Sequence, residues 1–235
     1  MSIKRNVLAI GAIITFAGGL ITVGTTPAKA ATPACDSQSA EDPVCISIFS
    51  RELGAYGDPN VVEAVLDGVA AEGQPVILAP ADRSDMAQDF KPVGGTVADF
   101  YAIGMLSAEV NSHYGHLPAA QIEYAPNGIR TDLCAGVAVV AFQNEGLTLV
   151  PCDVPGRSVW ILDFDASPET APAWFPIVSG STTDFEHPFA MSYPADQYAN
   201  PARLQQIIVR RLQFVGAEHM LRDTQLWGAH IGVLP

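Results

Sequence analysis

Positive charge is scarce in this chain. Its 235 residues carry 12 Lys and Arg against 25 Asp and Glu, a formal charge of −13 at pH 7. Lys4, Arg5 and Lys29 fall within the first 30 residues, which contain no acid, so residues 31–235 carry nine basic and 25 acidic side chains, or −16. Such a surface repels a phosphate backbone, which argues against a nucleic-acid partner. Acidity is also an ordinary means of keeping an extracellular protein in solution.

Recognisable catalytic motifs are missing as well. The chain has no Gly-x-Ser-x-Gly, His-Glu-x-x-His, Gly-rich phosphate loop or EF-hand pattern. His113 and His116 stand three apart, but no nearby acid supplies a third metal ligand. Asp163 and Asp165 could serve a glycosidase or bind calcium, although carboxylates in this setting are typical of a turn. We therefore predict a protein without catalytic residues, cofactor or metal.

The amino-terminal segment predicts export. Lys4 and Arg5 precede an uncharged, mostly apolar run at residues 7–23, and small residues follow at Ala28-Lys29-Ala30. This order is typical of a signal peptide cleaved before Ala31 rather than of a stable membrane anchor. We expect residues 1–30 to be the signal peptide, residues 31–43 a polar lead-in, and the protein to be secreted.

Cysteines are few and even in number. Cys35, Cys45, Cys134 and Cys152 all follow the predicted cleavage site, which favours two disulfides in an oxidising compartment. Four cysteines allow three pairings. The short separations within 35/45 and 134/152 favour two local bonds with a structural role.

Short strands separated by Gly, Pro, Asn and Asp clusters recur along the rest of the chain. The predicted opening strands lie at 46–50, 101–107 and 175–179. The second strands lie at 61–66, 121–125 and 189–193. The third strands lie at 76–79 and 147–150, and the closing strands carry Phe90, Trp160 and Trp227. The closing aromatics follow one another by 70 and 67 residues, which indicates three copies of one unit.

Four strands in each of three units predict an all-β, twelve-stranded β-trefoil, a six-stranded barrel capped by three hairpins. We expect one domain over residues 44–235, with repeats at about 44–97, 98–168 and 169–235. The third repeat is ambiguous. Repeat logic predicts a strand within residues 204–214, whereas Asn200-Pro201 and the spacing of the apolar residues after it favour a helix.

The second repeat carries the most specific pattern. Leu133-Cys134-Ala135-Gly136-Val137 is followed by a Gly turn at Asn144-Glu145-Gly146, by Pro151-Cys152, and by Ser158-Val159-Trp160. Shorter copies of its last part appear at Gln88-Asp89-Phe90 and Gln225-Leu226-Trp227. This order resembles the ricin-type β-trefoil lectin repeat, which has Cys-Leu-Asp-Val, a Gly turn, a strand ending in Cys, and then Gln-x-Trp.

The resemblance implies a Cys134–Cys152 bond and carbohydrate binding. In lectin repeats the Asp of Cys-Leu-Asp-Val accepts hydrogen bonds from sugar hydroxyls, but Gly136 occupies that position here. Asp67 is the nearest acid in the first repeat. Ser158 replaces Gln and Phe90 replaces Trp. For the Gln-x-aromatic residues we expect packing roles, with an inward aromatic ring and an amide that fixes the hairpin.

Two loops combine aromatic rings with amides or carboxylates, as a sugar site requires. The first contains Asn111, His113 and Tyr114. The second and richer one contains Tyr193, Asp196, Gln197, Tyr198 and Asn200. The leading hypothesis is a secreted, non-catalytic trefoil that binds glycan. The alternatives are a protease inhibitor similar to the plant Kunitz-type trefoils, and a secreted glycoside hydrolase that uses Asp163 or Asp165.

Overall fold

A computed structural model describes residues 44–54, 60–82, 84–168, 171, 173–195, 205–216 and 220–231. The predicted signal peptide, the lead-in and Cys35 lie outside these residues. Within them the chain forms 16 strands, two short α-helices and six three-residue 3-10 helices. The strands are β1 (Ile46–Ser50), β2 (Val61–Val65), β3 (Val76–Pro80), β4 (Phe90–Thr96), β5 (Pro118–Tyr124), β6 (Leu133–Gly136), β7 (Glu145–Gly146), β8 (Thr148–Pro151), β9 (Val159–Leu162), β10 (Ile177–Ser179), β11 (Phe189–Ser192), β12 (Gln205–Gln206), β13 (Ile208–Arg211), β14 (Phe214–Val215), β15 (Met220–Leu221) and β16 (Trp227–Ile231). The α-helices are α1 (Val97–Ala102) and α2 (Ala108–Tyr114), and no helix of the described chain is long and apolar enough to span a bilayer.

Six strands close into a barrel. Antiparallel pairing runs from β16 to β1, β4, β5, β9 and β10 in turn. Phe175, just before β10, completes the ring, because its N–H and C=O both bond the backbone of Trp227 in β16, at 3.1 and 2.9 Å. A closed sheet of this kind leaves no free edge among its members.

Three hairpins cap one end of the barrel and define three lobes. They are β2–β3 in lobe 1, β6–β8 in lobe 2 and β11–β13 in lobe 3. Val76 N–H donates to Leu147 C=O at 2.9 Å, Leu147 N–H to Ile207 C=O at 2.7 Å, and Ile207 N–H to Val76 C=O at 3.0 Å. This cyclic exchange places Val76, Leu147 and Ile207 in equivalent positions around a pseudo-threefold axis. The predicted β-trefoil, with six barrel strands and three hairpins, is confirmed.

The closing aromatics form the centre of the core. Phe90, Trp160 and Trp227 are fully buried in one apolar cluster. Trp160 Nε1 donates to Ala135 C=O at 2.8 Å, and Trp227 Nε1 donates to Met191 C=O at 2.9 Å. The predicted inward packing of these rings is confirmed, and in lobes 2 and 3 each indole also ties the closing strand to its hairpin.

Equivalent geometry extends to the glutamines that precede these aromatics. Gln88 Nε2 donates to Pro80 C=O at 2.8 Å, and Gln225 Nε2 donates to Arg211 C=O at 3.0 Å. Pro80 and Arg211 end equivalent hairpin strands, so both amides fix the hairpin as predicted. Lobe 2 has the shorter Ser158 at this place.

The predicted opening strand at residues 101–107 is wrong, because α1 and a turn occupy that segment. A capping box begins the helix: Asp99 N–H donates to Thr96 Oγ1, and Thr96 N–H donates to Asp99 Oδ2. Val97 and Phe100, three residues apart, are buried on one side of α1. The opening strand of lobe 2 is β5. Residues 121–125, predicted as the second strand, mostly belong to β5, and the second strand is β6.

Lobe 3 resolves the strand-or-helix ambiguity in favour of strands over the described residues. β12 pairs with β3, and β13 pairs with both β11 and β7. Backbone pairing on several sides therefore outweighs the local helix pattern. The helix-start signal at Asn200-Pro201 lies outside the described residues.

One disulfide is described in full. Cys134 and Cys152 are bonded, with their Cα atoms 5.1 Å apart, as the resemblance implied. The bond joins the start of the β6–β8 hairpin to its end. Cys45 is also disulfide-bonded, and its partner lies outside the described residues, so the Cys35–Cys45 pairing stays a prediction.

Candidate functional site

Hairpin register shows which residue of each lobe takes the place of the lectin aspartate. Leu78, Leu149 and Val209 each lie two residues after Val76, Leu147 and Ile207, so they are equivalent. Their cross-strand partners are Glu63, Ala135 and Met191. The next residues along the chain, Ala64, Gly136 and Ser192, are therefore equivalent. The described lobes thus carry no carboxylate at this position.

In lobe 2, backbone packing leaves no space for a side chain at the lectin aspartate's position. A Cβ atom on Gly136 would lie 2.5 Å from the carbonyl oxygen of Arg157 and 2.5 Å from Val150 Cγ2. Real Cβ atoms do not come so close to a backbone oxygen, so no side chain fits there without displacing the strand. Gly136 therefore reflects the close approach of the turn before β9 to β6 rather than a vacant ligand site.

In lobe 3, the side chain at the lectin aspartate's position is buried and hydrogen-bonded within the protein. Ser192 is buried, and its hydroxyl accepts a hydrogen bond from Gln225 Nε2 at 3.1 Å and donates to Ala190 C=O at 3.2 Å. The amide that fixes the hairpin is therefore also bonded to the side chain that stands at the lectin aspartate's position in this lobe.

Lobe 1 is open. A depression of about 250 Å³ lies between the outer face of the β2–β3 hairpin and the turn before β4. Its floor is a small apolar cluster, separate from the main core, of Ala64, Ile77, Ala79 and Ala87. Asp67, Gly68, Asp85 and the half-exposed Met86 line the rest. We call this surface the lobe-1 depression.

Two short turns position its carboxylates. Asp67 is exposed and has a left-handed backbone (φ 58°), which Asp and Asn tolerate better than most residues. The adjacent Gly68 C=O accepts a hydrogen bond from Tyr124 Oη at 2.9 Å, which ties this turn to the barrel. Across the depression, Asp85 Oδ1 accepts from Ala87 N–H at 3.0 Å. Asp67 stands three residues beyond Ala64, so it occupies the depression without occupying the lectin aspartate's place.

Ionisable groups lie beneath the depression. Burial raises the pKa of Asp89 against the opposing hydrogen bond from Asn127 N–H, and the negative charge of Asp85 raises it further. Burial, followed by the charges of Asp89 and Asp85, raises the pKa of Tyr124 to about 12. The charge of Lys91 lowers the pKa of Asp89, so both signs of charge lie beneath the depression.

Sequence reasoning identified Asp67 but missed Asp85 and Met86. Asp85 carries a local signal, since an Asp two residues before a turn amide commonly accepts from it. No sequence pattern indicated that this turn faces Asp67, because the packing of the turn against the hairpin brings the two together.

Of the second predicted loop, only Tyr193 is described. Its side chain is 3% exposed and belongs to the main core cluster, so its ring does not face solvent. The position is equivalent to Val65 and Val137, which are also core residues. The ring of Tyr193 is therefore not available to contact a sugar. Asp196, Gln197, Tyr198 and Asn200 lie outside the described residues.

The first predicted loop is wrong, because Asn111, His113 and Tyr114 lie in α2, where Tyr114 is buried. The residues at and after the end of α2 meet the paired carboxylates on another face. His116 Nε2 and Asp165 Oδ2 lie 2.9 Å apart, and both side chains are exposed. His113 stacks on Phe185 with ring centroids 4.8 Å apart. Asp163 Oδ1 accepts from Ala166 N–H at 3.1 Å, which is the expected turn role. Within the described part of the chain, no three His, Cys, Asp or Glu side chains converge on a metal-sized site.

Comparison with known proteins gives structural similarity alone. No protein-family model matches the chain. No curated protein matches it in sequence. A designed 3-fold symmetric protein, ThreeFoil, is 11% identical with a TM-score of 0.47, over 78% of this chain and 96% of that one. The Rhizoctonia solani agglutinin is 12% identical with a TM-score of 0.48, over 83% of this chain and 99% of the agglutinin.

Proposed function

We propose that this protein is a non-catalytic, extracellular binding protein that holds a carbohydrate in the lobe-1 depression. The observation that carries the proposal is the pair of carboxylates, Asp67 and Asp85, set beside an apolar floor and Met86. Carboxylate oxygens accept hydrogen bonds from sugar hydroxyls, and the apolar surface contacts the C–H face of a sugar ring. The Cys134–Cys152 bond supports an oxidising compartment.

Binding should involve one site in the described trefoil. Gly136 leaves no room for a polar side chain in lobe 2, and in lobe 3 the Ser192 hydroxyl is buried and already bonded to Gln225. A single shallow site gives weak affinity for a monosaccharide, because little surface is buried. We therefore expect oligosaccharides to bind better than single sugars, and we expect one oligosaccharide per trefoil.

A glycan array probed with wild type, Asp67→Asn and Asp85→Asn tests the proposal. Asn keeps the left-handed backbone at 67 and the turn hydrogen bond at 85, so each variant removes charge with little change in shape. Asp132→Asn is the matched control, because Asp132 is also exposed with a left-handed backbone (φ 59°) but does not line the depression.

The expected result is a set of positive glycans whose signal falls about tenfold or more in both depression variants, as the loss of charge-assisted hydrogen bonds implies. The Asp132→Asn signal should equal that of wild type. A silent array would contradict carbohydrate binding. Loss of signal only in Asp196→Asn or Tyr198→Phe would contradict the lobe-1 assignment and support the second predicted loop instead.

A further inference from the structure

The two acids that line the lobe-1 depression have no described cation beside them. None of its described lining residues is Lys, Arg or His. Neither Asp67 nor Asp85 forms an ion pair with another described residue. Asp67 is exposed and Asp85 is partly exposed, so a ligand can reach both carboxylates from solvent.

The cation beneath the depression has acidic neighbours of its own. Lys91 is 2% exposed and stands opposite Glu123 in the β4–β5 register, and cross-strand partners lie on one face of a sheet. Its charge also lowers the pKa of Asp89. Glu123 in turn pairs with Arg130. These groups supply two charges of each sign behind the surface, so they do not balance the two carboxylates that line the depression.

The apolar floor of the depression contains no aromatic ring. Its described lining residues include Ala64, Ile77, Ala79 and Met86 but no Phe, Tyr or Trp. Aromatic side chains supply the largest apolar contacts in binding sites. A neutral sugar therefore has only small alkyl contacts here, together with hydrogen bonds that compete with those it makes to water.

A positive charge on the sugar would change this balance. A hydroxyl or an N-acetyl group offers a carboxylate one neutral donor, whereas a primary ammonium group offers three donors and a full positive charge. Hydrogen bonds between two ionised groups are shorter and stronger than neutral ones. The −16 charge of residues 31–235 also attracts cationic sugars from a distance and repels acidic ones.

We propose that the lobe-1 depression binds sugars with a protonated primary amine, such as glucosamine units, in preference to neutral or acidic sugars. The inference rests on the proposed function, because it names the class of carbohydrate for the same site. The ammonium group donates to the carboxylates of Asp67 and Asp85, and the C–H face of the ring lies on the apolar floor.

Two trisaccharides with the same backbone test the inference. One consists of three β-1,4-linked glucosamines, and the other is its fully N-acetylated form. Calorimetric titrations at slightly acidic pH and low salt should show about tenfold or more tighter binding of the amine form. Asp67→Asn and Asp85→Asn should each weaken that binding about tenfold or more, whereas the control Asp132→Asn should not change it.

Spermidine separates recognition of a sugar from general attraction of cations to an acidic protein. It carries as many amines as the glucosamine trisaccharide but has no ring to cover the apolar floor. We expect it to bind at least about tenfold more weakly than that trisaccharide. High salt should weaken spermidine binding at least as strongly, because exposed charges are screened.

The outcomes separate this inference from the proposed function. Equal affinity for the two trisaccharides would overturn the preference for an amine, and so would spermidine binding as tight as that of the amine form. If the amine form does not bind, but neutral glycans on the array lose signal in Asp67→Asn and Asp85→Asn, the preference is wrong and the carbohydrate site stands. If neither trisaccharide binds and the array is silent, both are wrong.

Discussion

The carboxyl group of Glu63 accepts a hydrogen bond from the backbone N–H of Ile48 inside the trefoil core. Glu63 is 2% exposed and stands where lobes 2 and 3 have Ala135 and Met191. Its other oxygen, Oε1, has no hydrogen-bond partner among the described residues. Burial raises the pKa of Glu63 well above its ordinary value of 4.5, since the hydrogen bonds it accepts only partly oppose desolvation.

Glu63 should make stability depend on pH. The folded protein holds its proton to higher pH than the unfolded chain, so the free energy of unfolding falls as pH rises above about 4.5. The slope is at most about 1.4 kcal/mol per pH unit. Urea denaturation at several pH values checks this against Glu63→Gln, which should lack this component. A wild-type curve parallel to that of Glu63→Gln would contradict the prediction.

Gly136→Ala should destabilise the protein by about 1–3 kcal/mol, because the new methyl group meets Arg157 C=O and Val150 at 2.5 Å. Gly94→Ala is the matched control: it is also a strand glycine, but nothing lies within 4 Å of the point where its Cβ would stand. Urea midpoints of both variants measure the difference. Equal midpoints would show that lobe 2 can accommodate a side chain.

Loss of the Cys134–Cys152 bond should cost roughly 3 kcal/mol, the chain-entropy expectation for a closed loop of this size. The double variant Cys134→Ala, Cys152→Ala removes it without leaving a free thiol at either position. Denaturation of wild type and variant, with and without reductant, measures the change. Reductant should shift the wild-type midpoint further, because the variant has already lost this bond.

Trp227→Phe should destabilise by about 1–3 kcal/mol, because Met191 C=O loses its indole donor while buried. Trp160→Phe should lower the free energy of unfolding by a similar amount, because Ala135 C=O loses its indole donor. Phe90 shows that lobe 1 accepts a phenyl ring at the equivalent place. Denaturation of both variants gives the measurement, and an unchanged free energy of unfolding would show that the indole hydrogen bonds contribute nothing net.

Repeats and alternation predicted most of the fold. The spacing of Phe90, Trp160 and Trp227 located the three closing strands, since each aromatic must reach the same core. The strand predicted at residues 101–107 was wrong, because the repeat pattern implied a strand where a capping box starts a helix. In lobe 3 the local signals favoured a helix, whereas the chain forms strands. Pairing with strands distant in sequence decides the conformation there.

The candidate site was less accessible to sequence reasoning. Gly136 was correctly identified as a departure from the lectin pattern, but its cause, the carbonyl of Arg157 against the strand, appears only in three dimensions. The depression in lobe 1 joins Asp67 to Asp85 through turn packing that has no periodic signature.

The ring of hydrogen bonds among Val76, Leu147 and Ile207 bears on how the chain folds. Each bond joins a different pair of lobes, so none can form within a single repeat. Ile207 is near the carboxyl-terminal end of the described trefoil, and the cap therefore closes only after most of the chain has been synthesised. Contacts of such long sequence separation slow folding. Until the ring closes, the three hairpins have unpaired backbone edges, and this is the stage at which the nascent protein is most exposed to misassembly.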